Sequence, residues 1–260
     1  MRNFLRIGTL FIGLLVNNAY AEIQTTAKSY LIVDLDNNKV IAGKNTEDRR
    51  SIASVTKLMT AIVALDAKSD LKEPVKVVRL KGATSRIPNS MKFITRDELI
   101  NLAIVKSDNL AAALLCYHYP GGTDACIKAM NDKATDLMLP NTNFVDPTGI
   151  YAENKSTASE LSILLLISEG YPEIVAASHR SVYTMLTHKQ KLNYPNTNPL
   201  VANYSNIEVS KTGWIGAASG GCLVMLVTHN LTRYAVILLG SKNTHTRITE
   251  ARQILDKSLL

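Results

Sequence analysis

The 260-residue chain lacks most of the strings that would place it at once. It has three cysteines, no C-x-x-C pair and no cysteine–histidine spacing of the zinc type, so a redox dithiol or a finger-like metal centre is not expected. Its five histidines (His118, His179, His188, His229 and His245) show no ligand spacing, and H-E-x-x-H is absent. No Walker-type phosphate loop occurs. The G-x-S-x-G elbow is missing too, because the serine of "GAASGG" stands one place out of register. No Lys/Arg run is dense enough for a nucleic-acid arm, and no repeat or low-complexity tract is present. Neither a metal nor a cofactor is expected, and nucleic acid is not expected as a partner.

Long apolar runs are lacking as well. The N-terminal one, "IGTLFIGLLV", follows Arg2 and Arg6 and gives way to "NNAYAE". At about ten residues it is too short for a span, which needs roughly 20. A charged start, a short apolar core and Ala19-Tyr20-Ala21 read as a secretory signal peptide over residues 1–21, cleaved after Ala21. Residues 22–260 would then form one domain without a stable membrane anchor. Losing Arg2 and Arg6 lowers the formal charge of +7 by two, leaving a mildly basic surface. Cys116 and Cys126 flank the turn "YHYPGGTDA"; in an oxidising compartment they either pair or remain thiols. Cys222, in "GGCLVMLV", reads as a buried core thiol.

What is present is ordered. "SYLIVDLDNNKVIAG" holds two β-rich runs about Asp36-Asn37-Asn38, a hairpin pattern. Helical periodicity follows through Ile52, Leu58, Met59, Ile62, Val63 and Leu65. "TRDELINLAIV" opens with a capping box of Thr95 and Glu98. "DNLAAALLCYHY", "DACIKAMNDKATDLM" and "TASELSILLLISEG" are further helices. "NIEVSKTGWIG", "GGCLVMLVTHN" and "RYAVILLGS" then form a strand meander, and "TRITEARQILDKSLL" a closing helix. The economical fold is of α/β (α+β) type: an antiparallel five-stranded sheet built from both ends of the chain. Helices flank it, with an all-helical subdomain inserted over roughly residues 68–200.

Three short strings carry chemistry. Ser54-Val55-Thr56-Lys57 fits S-x-x-K, Ser107-Asp108-Asn109 fits S-x-N, and Lys211-Thr212-Gly213 fits K-T-G. Singly they are weak: Ser69-Asp70-Leu71-Lys72 and Ser241-Lys242-Asn243 match as well. S-x-x-K is expected about once by chance in a chain of this size, and S-D-N and K-T-G in only about one chain in twenty each. Order and context select the first set, because Ser54 opens a strongly amphipathic helix. Residues i and i+3 share a helix face, so the Lys57 ammonium can reach the Ser54 hydroxyl. A lysine serves as base only with a lowered pKa, which burial or a second cation such as Lys211 supplies. The plainer readings are an N-cap for Ser54, a cap and turn for Ser107–Asn109, and a strand ending in glycine for Lys211–Gly213. Jointly the catalytic reading prevails. A missing side chain at Gly213 would let substrate lie along the strand, and the Trp214 and Ser54 amides would form an oxyanion hole.

On these motifs the chain resembles the low-molecular-mass penicillin-binding proteins of the D-alanyl-D-alanine peptidase family. "NTNFVDPTGI", "STASELSILL" and "VSKTGWIGAASGGCLVM" look most like the penicillin-binding protein 7 type, the D-alanyl-D-alanine endopeptidases. The resemblance implies Ser54 as acylated nucleophile and Lys57 as its base, with Ser107 and Asn109 lining the cleft. As side-chain hydrogen bonders on a helix–helix connection, these two are placed to relay a proton and hold a substrate amide. Asn109, Lys211, Thr212, Gly213 and Trp214 would bind substrate, Lys211 and Thr212 holding the carboxylate beside the scissile bond. It implies peptidoglycan peptide stems as substrate, β-lactams as covalent inhibitors and a periplasmic location. The chain ends in one short helix soon after Gly213, which favours the endopeptidase type over carboxypeptidases with a further β-rich domain and anchor. A carboxypeptidase trimming pentapeptides and a class A-like β-lactamase are the alternatives. Asp146 is expected to be structural.

Overall fold

The computed structural model describes residues 23–187 and 190–259. The expected leader, residues 1–21, lies outside the described residues. Strand β1 (Ser29–Asp34) is buried along its whole length and turns into β2 (Lys39–Lys44). The Asp34 carboxylate builds that turn by accepting from the Asp36 and Asn37 amides, an Asx-type closure. A short strand β3 (Arg50–Ser51) leads to a 3₁₀ turn, Ala53–Thr56, and helix α1 (Lys57–Asp66).

Strands β4 (Pro74–Lys76) and β5 (Phe93–Thr95) pair next, and helix α2 (Arg96–Asn101) starts on the expected Thr95–Glu98 capping box. It widens into a π-turn, Leu102–Lys106, and breaks at Ser107. Helices α3 (Asn109–Tyr117) and α4 (Gly122–Asp136) follow. Strand β6 (Lys155–Ser156) pairs with β3, and α5 (Ala158–Glu169) and α6 (Pro172–His179) come after it. The hairpin of β7 (Val182–Leu186) and β8 (Lys191–Pro195) precedes β9 (Ile207–Gly213), β10 (Gly221–His229), β11 (Thr232–Ser241) and α7 (Thr244–Ile254).

The expected sheet is present, antiparallel in the order β2-β1-β11-β10-β9. Alternation along its strands supplies two cores. Ile32, Leu223, Met225 and Leu238 face α7 through Ala251 and Ile254. Leu31, Val33, Val209, Val224 and Ile237 face the helices, in one continuous core with Ile62, Leu102, Leu114 and Leu161. The segment expected to be wholly helical also carries the strand pairs β4–β5 and β7–β8. Both are short and expose most of their side chains, so they lack the buried alternation that marks a strand in sequence. Its helices share the sheet's core, α5 lying across β1, β9, β10 and β11. Cys116 and Cys126 form a disulfide with Cα atoms 5.2 Å apart, joining α3 to α4; Cys222 is free and buried. Two consequences position the site: α1 is buried in the centre, and β9 is an edge strand beside its N-terminal end.

Candidate active site

The turn that bears Ser54 is not the plain helix start that the periodicity suggests. Residues 53–56 form a 3₁₀ turn, and Ala53 is held at φ 47°, a left-handed conformation costing an alanine about 1 kcal/mol. Two glycines lie against this turn. A Cβ on Gly149, itself at φ 78°, would stand 2.0 Å from the Ala53 carbonyl oxygen; one on Gly213 would stand 2.7 Å from the Ile52 carbonyl oxygen. Both would also come within about 3 Å of the Ser54 nitrogen. The missing Gly213 side chain therefore makes room for the Ser54 turn rather than for a ligand. The Ser54 hydroxyl caps nothing, and the residue is half-buried.

Lys57, one turn on, has no exposed surface. Its ammonium donates to the Ser54 hydroxyl at 2.9 Å, the Asn109 side-chain oxygen at 2.8 Å and the Thr148 carbonyl at 2.6 Å. Burial pulls its pKa down to about 7, opposed by the charges of Asp146 and Asp108. Lys211 is buried as well and, among the described residues, donates only to the Thr212 carbonyl, at 3.0 Å. Burial, then repulsion from Lys57 and from Arg247, holds its pKa well below the ordinary range. The expected second cation is thus nearby, but burial is what tunes Lys57.

Each partner of Lys57 is itself fixed. Asn109 occupies the first turn of α3, whose cap is Asp108 accepting from the Ala111 amide. Its amide orientation is fixed at both ends, because its nitrogen donates to Thr84 Oγ1 at 2.9 Å while its oxygen faces Lys57. Asp108 also accepts from Ser85 and the Arg86 amide, drawing the segment before β5 over the start of α3. Asp146 gathers the Thr148 and Gly149 amides and the Thr148 hydroxyl on one oxygen, with Asn154 and the Tyr151 amide on the other. That turn aims the Thr148 carbonyl at Lys57.

Ser107 sits at φ 58° between the π-turn and α3. No hydrogen bond joins its hydroxyl to Ser54 or Lys57. Thr212 and Gly213 end β9, opposite Leu223 and Cys222 of β10. The Gly213 carbonyl accepts from Arg247 of α7 at 2.5 Å. A planar trans peptide then sends the Trp214 N–H the opposite way, and the Trp214 side chain is exposed. Thr148, Arg247 and Thr197, whose hydroxyl accepts from Thr212 at 2.7 Å, belong to no motif. Only "VDPTGI" hints at the first, as a turn with an aspartate two residues before a threonine.

The sequence pattern of the D-alanyl-D-alanine carboxypeptidase family (peptidase S11) matches residues 16–243. The chain belongs to this family. It is therefore a serine-type D-alanyl-D-alanine peptidase, as the ordered motifs imply. Among its relatives is the D-alanyl-D-alanine endopeptidase of Escherichia coli (strain K12), 41% identical over 87% of this chain and 75% of the relative. Another is the D-alanyl-D-alanine endopeptidase of Pseudomonas aeruginosa, 35% identical over 98% of this chain and 88% of the relative. The Streptomyces K15 DD-transpeptidase shares the fold with a TM-score of 0.81 at 24% identity, over 92% of this chain and 98% of that one. So does penicillin-binding protein D2 from Listeria monocytogenes in its cefotaxime-bound form: TM-score 0.81 at 22% identity, over 90% and 98%.

Proposed function

We propose that the protein is a periplasmic, penicillin-sensitive serine endopeptidase that hydrolyses D-Ala–diaminopimelate cross-links between peptidoglycan stems. The observation that carries the mechanism is Lys57: fully buried, with a pKa near 7, and 2.9 Å from the Ser54 hydroxyl. A neutral lysine amine at that distance is the base a serine hydroxyl needs. Ser54 Oγ attacks the D-alanyl carbonyl carbon while its proton passes to Lys57 Nζ. The oxyanion is held by the Ser54 and Trp214 amides. The carbon–nitrogen bond then breaks, and the leaving diaminopimelate amine takes the proton from Lys57. Water attacks the Ser54 ester, its hydroxyl joining the D-alanyl carbon and its other proton returning to Ser54. The unpaired edge of β9 offers the stem a strand to lie against. Lys211 and Thr212 line the place of the adjacent carboxylate, Lys211 supplying the charge, and Ser107 relays protons once substrate closes the gap.

The endopeptidase assignment follows the relatives at 41% and 35% identity that bear that name, whereas those named carboxypeptidases stand at 29% or less. A class A-like β-lactamase deacylates through a glutamate acting on a water. Asp146 is spent on its turn, Glu160 is held by Thr142 and the Asn141 amide, and Glu153 is on the surface. The periplasmic location rests on the leader-like residues 1–21. Chromatography of muropeptides after digestion tests the reading. Loss of cross-linked dimers is expected; intact dimers with pentapeptides trimmed to tetrapeptides would make the enzyme a carboxypeptidase.

A further inference from the structure

We infer that Thr197 is a substrate-binding residue that donates its hydroxyl hydrogen bond to the carboxylate beside the scissile bond, in series with Thr212. The inference rests on the peptidase reading above and adds a residue to it. Thr212 is buried, and its hydroxyl donates to Thr197 Oγ1 at 2.7 Å. Thr197 is half-buried. As the acceptor in that bond it keeps its own proton to give, and no described group takes it. A hydroxyl that accepts one hydrogen bond becomes a better donor of the next. The outward donor of the pair is therefore Thr197.

Its backbone is clamped for the purpose. The Thr197 amide donates to the Val105 carbonyl at 3.0 Å, two residues before Ser107. Asn196 donates to the Arg180 carbonyl, and Asn198, with no exposed surface, accepts from the Leu200 amide. The Thr197 hydroxyl thus spans the gap between the wall that carries Ser107 and the end of β9 that carries Thr212 and Gly213.

The charge pattern there calls for an anion. Lys211 and Arg247 are both buried, they repel one another, and neither forms an ion pair among the described residues. Buried cations are ordinarily paired. Here the missing negative charge arrives with the ligand, and the Thr212–Thr197 chain starts from the residue next to Lys211, whose carbonyl Lys211 holds.

The test measures kcat/KM with two acyl donors: a D-alanyl thioester whose leaving group bears a carboxylate, and its matched carboxamide. Removing one hydrogen bond to a charged group predicts a loss of about tenfold or more for Thr197→Val on the carboxylate donor. Thr197→Ser, which keeps the hydroxyl, should stay within about threefold of the unmodified protein, and the carboxamide donor should respond to neither change by more than about twofold. Thr197→Ala serves where the valine variant folds poorly, the carboxamide donor reporting the folded fraction. Equal losses on both donors would make Thr197 structural, and no loss on either would remove it from the site. If the unmodified protein shows no covalent labelling by a fluorescent penicillin, the peptidase reading falls and this inference with it.

Discussion

The Lys57 ammonium donates to the Thr148 carbonyl at 2.6 Å, and Thr148 is fixed by the Asp146 carboxylate at 2.6 Å through both its amide and its hydroxyl. Asp146, a residue outside the three motifs, thereby orients the proposed base and adds negative charge beside it. Asp146→Asn removes a charge that raises the Lys57 pKa. The acid limb of the acylation profile should move to lower pH, while exchanging an acceptor for a donor in a full shell lowers stability by about 1–3 kcal/mol. Penicillin labelling rates across pH and a thermal melt measure both; a limb that moves upward would contradict the account.

The Lys57 pKa near 7 sets the profile of the unmodified enzyme. Lysine acts as base only when neutral, so acylation should rise with pH, about tenfold per unit below the midpoint, and level off above pH 7. Rates that are flat between pH 5 and 8 would show that another group takes the proton. Lys57→Met should slow acylation by at least about a hundredfold at pH 8.

Gly213→Ala and Gly149→Ala should both be severe, for steric reasons that differ in degree. The first puts a methyl 2.7 Å from the Ile52 carbonyl oxygen, while the second puts one 2.0 Å from that of Ala53 and adds a left-handed backbone. Overpacking predicts losses of about 1–3 kcal/mol for Gly213 and about 2–4 kcal/mol for Gly149. Melting temperatures give the order, and penicillin labelling should fall in both because the Ser54 turn is displaced.

The Cys116–Cys126 disulfide closes a short loop between α3 and α4, away from the Asn109 end of α3. Chain entropy predicts about 2.5–3 kcal/mol lost on its removal. A Cys116→Ala, Cys126→Ala protein should melt earlier yet label with penicillin within about twofold at 20 °C, well below its transition. Reductant should lower the melting temperature of the unmodified chain and leave that of the variant unchanged.

Much of this architecture was legible in the sequence. The capping box at Thr95 and the hairpin at Asp36 are local, and the meander of β9, β10 and β11 has buried strands long enough to announce themselves. Strands β7 and β8 were not legible, since each buries a single residue of five. The 3₁₀ turn at Ser54 was hidden for another reason. Its shape is permitted by the space left at Gly149 and Gly213, residues remote in the chain that leave no mark on the local periodicity.

The sequence by itself determined the family and singled out the candidate strings, because S-x-x-K, S-x-N and K-T-G depend on spacing and order. Only the tertiary structure decided what those side chains are. Lys57 has the lowered pKa that the proposed base requires because segments from across the chain exclude water from it, and two of its hydrogen-bond partners lie 52 and 91 residues away. The same holds for Asn109, which grips Lys57, for Arg247, which fixes the Gly213 peptide, and for Thr197, which receives the Thr212 hydroxyl. Desolvation and hydrogen-bond geometry are sums over neighbours in space, and those neighbours are chosen by the fold.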